Sequence, residues 1–311
     1  MRAAILHEHG AVPEVGEFRD PGPDGDVVEV LAAGMNPVDI RIASGTFPLE
    51  RHEPPCVAGK EGVGRRRDGS VVYFEYSRDP FGAFGERTVI APGSGCRLPD
   101  GLDPALAVCL GVSGLAAWLS LEWRAGLRPG ETVLVLGASG VVGQIGVQAA
   151  KLLGAERVVA AARSPEGLER ARRLGADAVV ALDGADDLAA ALREAAGGDG
   201  YDVVLDPLWG EPARAALAAA KPFARIVNIG QSAGAEVSLT SAAIRSKPVD
   251  LLGYTNYTAG EERKAAAYAR MADHAAAGEI AVEIERIGLD DVPDAWQRLG
   301  GSPGRKLVVV P

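Results

Sequence analysis

Cysteine is scarce. Cys56, Cys96 and Cys109 lie far apart in a chain of 311 residues, and no Cys-x-x-Cys occurs. This excludes a disulfide framework and points to a reducing, cytoplasmic setting. Basic charge is also short: 32 Lys and Arg stand against 42 Asp and Glu, a formal net charge of −10. That balance argues against a nucleic-acid surface. The triplet Arg65–Arg67, followed by Asp68-Gly69, reads as a solvated hairpin turn. No secretory leader is expected, because only a few apolar residues follow Arg2 before His7, Glu8 and His9. Two uncharged stretches, Pro104–Leu121 and Thr132–Ala150, approach the length of a bilayer span. The first contains Pro104 and two glycines and ends at Glu122-Trp123-Arg124; the second breaks into strand, turn and helix. Both read as buried core.

The second stretch organises the chain. Thr132–Leu136 is a short β-branched and leucine run, expected to be a buried strand. Gly137, Ala138, Ser139 and Gly140 form a small-residue turn, and Val141, Val142 and Gly143 open an apolar helix that Gly154 stops. Arg157–Ala162 is a second buried strand. Strand, glycine turn, helix and strand make one βαβ unit suited to a dinucleotide: small residues let the backbone approach a pyrophosphate, and the helix N-terminus offers unpaired N–H groups. The glycines follow G-x-x-G-x-x-G instead of G-x-G-x-x-G, so the context carries the reading more than the motif does. An NAD site places an acid roughly 20 residues beyond the glycines. Here the second strand ends Ala161-Ala162-Arg163-Ser164, with no acid before Glu166. Arg163 and Ser164 can instead hold a 2′-phosphate, which favours NADPH.

At this length two domains are expected. The first hundred residues read as β-rich, with strands at Ala3–Leu6, Val12–Phe18, Val27–Ala32, Val71–Glu75 and Arg87–Ala91, no strong helix signal, and a turn over Pro21-Gly22-Pro23-Asp24-Gly25. From about Ala105 an alanine- and leucine-rich helical texture begins. Alternating strands and helices then run to a last strand at Val249–Gly253, the pattern of a doubly wound parallel sheet. Glu261–Ala277 reads as a helix, and Ala281–Ile287 and Lys306–Val310 as strands returning to the first domain. The expected division is 1–113 with 255–311, and 114–254. The cleft between two such parts is the default ligand site.

The chain resembles the medium-chain dehydrogenase/reductase superfamily, in its zinc-independent quinone oxidoreductase branch. The residues that carry the resemblance are Ala33-Gly34-Met35-Asn36-Pro37-Val38-Asp39, the Gly59-Lys60-Glu61-Gly62-Val63-Gly64 turn, Leu98-Pro99-Asp100-Gly101-Leu102 and the Gly137–Gly143 turn. The resemblance implies a GroES-like mixed-β catalytic domain beside the Rossmann domain. Zinc alcohol dehydrogenases of the superfamily ligate their metal with Cys, His and Cys. This chain has Asn36 and Lys60 at the first two positions and only Cys109 near the third, so no metal is expected.

Without zinc, the resemblance places the substrate near Asn36, whose amide can donate to a developing oxyanion. Lys60 is a second candidate electrophile or a salt-bridged residue of the turn, the latter being favoured. Tyr73, Tyr76, Tyr254 and Tyr257 remain open as proton donors or as packing residues. The resemblance also sets Ser113, Asp206, Gly230, Gln231 and Ser232 beside the cofactor. The function implied is NADPH-dependent hydride transfer to a quinone, enone or related activated alkene or carbonyl. A nicotinamide-binding protein with a regulatory or structural role is the alternative. A short-chain reductase is excluded, since no tyrosine has a lysine four residues on. A homodimer is expected through the edge strand Val249–Gly253.

Overall fold

A computed structural model describes every residue except Pro23, Asp24 and Ala185, so the middle of the turn expected at 21–25 lies outside the described residues. The chain divides into two compact units, Met1–Ser113 with Ala265–Pro311, and Gly114–Lys264. The return to the first unit therefore comes ten residues later than position 255, the sequence-based expectation.

The second unit is built on a six-stranded parallel sheet. Its spatial order is Ala178–Ala181, Arg157–Ala162, Thr132–Leu136, Tyr201–Asp206, Ala220–Asn228 and Asp250–Gly253. In chain sequence that is 3-2-1-4-5-6, a doubly wound Rossmann sheet. The central strands are buried on both faces, which is why they read as unbroken apolar runs. Leu134, Leu136, Val159, Ala161, Val204 and Ile226 form the middle of its core. The strand order reverses between Thr132–Leu136 and Tyr201–Asp206, so their C-terminal ends mark the switch point where such sheets take ligands.

The first unit is mixed β. A seven-stranded sheet runs in the order Ile284–Ile287, Lys306–Val309, Asp26–Gly34, Glu61–Arg65, Val71–Phe74 and Cys96–Arg97, with Arg87–Ile90 also paired to Asp26–Gly34. A smaller sheet joins Glu14–Glu17, Arg2–Leu6 and Cys56–Val57. The core gathers Val28, Val72, Phe74, Phe84, Trp296 and Leu307.

The structure differs from the sequence-based expectation in two places that bear on function. Pro37–Ala43 is a helix, entered by Pro at its first turn and closed by Asp39 Oδ2, which accepts from the Asn36 N–H at 2.6 Å. Glu61–Arg65 is a strand, although its glycines suggest a turn; added Cβ atoms at Gly62 and Gly64 would meet Phe74 and Val28. The apolar Pro104–Arg124 segment is long enough to cross a membrane by composition, yet 78% of its most apolar window is buried inside the protein.

Leu134 lies fully buried in the central strand of the parallel sheet. Leu134→Ala is expected to lower the stability of that unit by about 2–5 kcal/mol, measured by urea unfolding.

Candidate active site

The glycine turn lies between the strand Thr132–Leu136 and the helix Val141–Leu152. Gly137 follows the first strand at φ +63°, a conformation that favours glycine, and the Gly140 N–H closes the turn on the Gly137 carbonyl at 3.0 Å. The helix Val141–Leu152 starts at once after Gly140. Gly143 is needed for contact: a Cβ there would lie 2.4 Å from the Gly137 carbonyl oxygen and 2.5 Å from the Ala138 Cα. Nothing larger than glycine brings this helix so close to the strand end. Small side chains at 137–140 ahead of an uncapped helix N-terminus fit a pyrophosphate.

Around this turn the other expected cofactor residues take varied roles. Arg163 is exposed directly after the second strand. Ser164 caps the helix Pro165–Arg173, accepting from the Gly167 N–H at 3.0 Å and donating to Glu166 Oε2 at 3.0 Å. Its hydroxyl is thus engaged within the chain. Asp206 is fully buried, and burial raises its carboxyl above the usual range. Its Oδ1 accepts from the Leu208 and Trp209 N–H groups at 2.9 and 2.8 Å, and its Oδ2 from Asn228 at 3.0 Å. The Asp206 side chain therefore fixes the loop that follows its strand. Gly230 approaches that loop closely, a Cβ there lying 2.7 Å from the Pro207 carbonyl oxygen, and Ser232 donates to the same oxygen at 3.2 Å. Gln231 is exposed at the tip.

In the first unit Asn36 belongs to a buried polar network, and Lys60 is joined to it through Asp39, which accepts from both backbone N–H groups. Glu61 is the centre of that network and is wholly buried. Glu61 Oε1 accepts from Asn36 Nδ2 at 2.8 Å and Lys306 Nζ at 2.9 Å; Oε2 accepts from the Val112 N–H at 2.7 Å and the Tyr73 hydroxyl at 3.0 Å. Lys306 Nζ also donates to Asn36 Oδ1 at 2.6 Å, and the Ser113 hydroxyl to the same oxygen at 3.4 Å. The second hydrogen of Asn36 Nδ2 goes to the Gly34 carbonyl at 3.0 Å. Both amide hydrogens of Asn36 are thus engaged inside the protein, and donation to an oxyanion would have to displace one of them.

Lys60 is turned away from this cluster. Its backbone N–H donates to Asp39 Oδ1 at 3.0 Å. Its ammonium meets Glu50 Oε2 at 2.5 Å and Glu75 Oε1 at 3.6 Å, and lies 3.9 Å from the centre of the Tyr76 ring. Its side chain is only 2% exposed. Of the tyrosines, Tyr73 is buried, bonded to Glu61 and stacked on Tyr268 with ring centres 4.4 Å apart. Burial holds its phenol well above the usual value, so Tyr73 is a poor acid. Tyr254 donates to Asn256 Oδ1 at 2.8 Å.

Lys306, Gly111 and Val112 escape the sequence reading. The available signal is the lysine itself, at the head of the apolar run Leu307–Val310. Gly111 breaks the helical segment at ψ −115° and turns the Val112 N–H onto Glu61; a Cβ there would lie 2.2 Å from Glu61 Oε2. No spacing rule exposes that requirement.

The two units have the architecture of a nicotinamide-dependent oxidoreductase. A family model described as "Zinc-binding dehydrogenase" matches residues 141–273. A quinone oxidoreductase of Pseudomonas aeruginosa is 31% identical over 235 residues, covering 71% of each chain. One subunit of the phenolphthiocerol/phthiocerol polyketide synthase of Mycobacterium tuberculosis is 31% identical over 312 residues. That match takes in 96% of this chain but only 14% of the synthase subunit. The quinone oxidoreductase of Thermus thermophilus, whose structures include a complex with NADPH, superposes with a TM-score of 0.83 at 28% identity, over the whole of both chains. The protein belongs to the quinone oxidoreductase-like branch of the medium-chain dehydrogenase/reductase superfamily.

The zinc in that family model's description does not fit the donors present. The Cys109 thiol donates to the Ala105 carbonyl at 3.1 Å, and burial pushes it up to about 12. Asn36 and Lys60 are committed as described. Among the described residues no cluster of three or more His, Cys, Asp or Glu could hold a metal ion.

Two outcomes follow from the buried charges. Lys306→Met leaves Glu61 without its counter-ion and is expected to cost about 3–5 kcal/mol, read from chemical denaturation. Asp39 is pushed up from 3.8 to about 7, chiefly by desolvation. Between those values the folded chain keeps a proton that the unfolded chain has lost, so stability falls as pH rises through this window and levels off above it. Stability measured at pH steps from about 4 to 8 is expected to show this fall, up to about 1.4 kcal/mol per pH unit, in the wild type and not in Asp39→Asn.

Proposed function

We propose that the protein is an NADPH-dependent reductase of quinones, enones or related activated alkenes and carbonyls. The observation that carries this reading is the Gly137–Gly143 cradle opening a helix N-terminus, with Arg163 exposed after the second strand and no acid in between. When bound, the dinucleotide supplies the hydride. The chain's own part is to seat the pyrophosphate on the backbone N–H groups at 138–143 and to offer the Arg163 guanidinium to a 2′-phosphate. Since Ser164 is engaged in capping its helix, discrimination falls mainly to Arg163. Ser113, Gly230, Gln231 and Ser232 complete the cofactor contacts in this reading.

Asn36 and its neighbours hold the substrate-side backbone, and the proton for a reduced quinone comes from water. The quinone oxidoreductase relatives support a quinone acceptor. A homodimer joined through the edge strand Asp250–Gly253, where Leu251 is exposed, belongs to the same reading.

The test is oxidation of NADPH and NADH against a panel of quinones and enones. Turnover is expected with an NADPH preference, and Arg163→Ala is expected to lower that preference by about tenfold, roughly 1.4 kcal/mol. Tight dinucleotide binding without turnover on any acceptor favours the regulatory alternative. Gly143→Val is expected to abolish dinucleotide binding, measured by calorimetry.

A further inference from the structure

Segment 46–55, between the helix Pro37–Ala43 and the strand Cys56–Val57, has no helix or strand of its own. It is nonetheless tied down by a continuous chain of charged groups. Lys60 Nζ meets Glu50 Oε2 at 2.5 Å, the other Glu50 oxygen is 3.0 Å from His52 Nε2, and His52 Nδ1 pairs with Asp79 on the opposite loop. Beneath the segment is a cavity of about 30 Å³, lined in part by Asp39, Glu50, His52, Cys56, Lys60 and Ser77. That volume holds about one water molecule.

An imidazole with a carboxylate on each ring nitrogen can donate to both only as the imidazolium. The neutral ring has one N–H and would turn a lone pair on the other carboxylate. The groups facing His52 agree in sign. Glu50 and Asp79 touch it, Glu53 is the next residue along the chain, and Glu75 and Asp39 lie beyond Glu50 around Lys60. Arg51 pairs with Glu53, which also faces His9 at 3.6 Å. The Glu50 hydrogen bond, opposed by burial and aided by Asp79, raises His52 above the ordinary histidine value. A group raised in the closed form stabilises closure fully below its ordinary value and ceases to do so as pH rises through the raised one.

We propose that segment 46–55 is a pH-sensitive strap, latched over the cavity by doubly protonated His52 and released when that ring loses a proton. Latched, Lys60 is a caged ion. Released, its ammonium and the Cys56 thiol become reachable from solvent. The latch is independent of the reaction proposed above and is tested without it.

The probe is methyl methanethiosulfonate, with labelling of Cys56 followed by mass spectrometry from about pH 6 to 9.5 in the wild type and in His52→Arg, which stays charged throughout. The buried Cys109 serves as the internal control. The ratio of wild-type to variant rates is expected near one at the acid end and about tenfold or more at the alkaline end. A permanent guanidinium beside Cys56 would itself speed the variant, so the rise cannot come from thiol ionisation. A flat ratio, or a parallel rise at Cys109, overturns the strap. Should His52→Arg not fold, His52→Gln supplies the test: Cys56 is then labelled about tenfold faster than in the wild type near pH 6, and equal rates overturn the proposal.

Discussion

A single buried carboxylate organises the first unit. Glu61 has no access to solvent, and its two oxygens receive four donors from separate parts of the chain. An ionised carboxylate in such a place persists only when each lone pair is met, and removing one donor leaves the remaining charge uncompensated. The network therefore fixes several backbones at once. It sets the Asn36 amide, and through Val112 it sets the bend in the helical segment that begins at Pro104. Gly34 and Gly111 follow from the same requirement, since added Cβ atoms at either would fall within 3 Å of Glu61.

The nucleotide unit rests on a different principle. Its strands are held by apolar burial on both faces, and its polar residues cluster at the strand ends. There Asp206 plays the part that Glu61 plays in the other unit: it is a buried acid that shapes a loop. In both units a buried acid holds backbone and side-chain donors from separate parts of the chain.

The contrast explains what could be read in advance. The middle of the parallel sheet was legible because strands such as Thr132–Leu136 are short apolar runs and helices such as Pro165–Arg173 carry their own cap, signals that sit within a few residues of one another. The glycine turn was legible for the same reason. The helix at Pro37 carried a local signal too, Asn36-Pro37 with Asp39 following, but it is short and sits among strands. Glu61–Arg65 was obscured because its glycines serve packing instead of turning. The Glu61 network was beyond reach, since its partners at 36, 73, 112 and 306 come together only in the folded chain. Lys60 and Asn36 were visible as residues, but their hydrogen-bond partners were not.

The strand carrying Lys306 closes the first unit with residues made after the whole of the second, pairing Val308 with Gly34 and Val309 with Ala33. This has a consequence for the order of assembly on the ribosome. Residues 114–264 are contiguous, so the second unit holds every strand of its sheet before Lys306 is made. The amino-terminal unit, although synthesised first, contains a buried acid whose counter-ion arrives about 245 positions later. Long-range closure of this kind is slow and keeps strand edges open while it waits. Of the two units, the one whose strands emerge first is therefore the one that matures last, because its early strands wait for partners that are made only after the whole of the other unit.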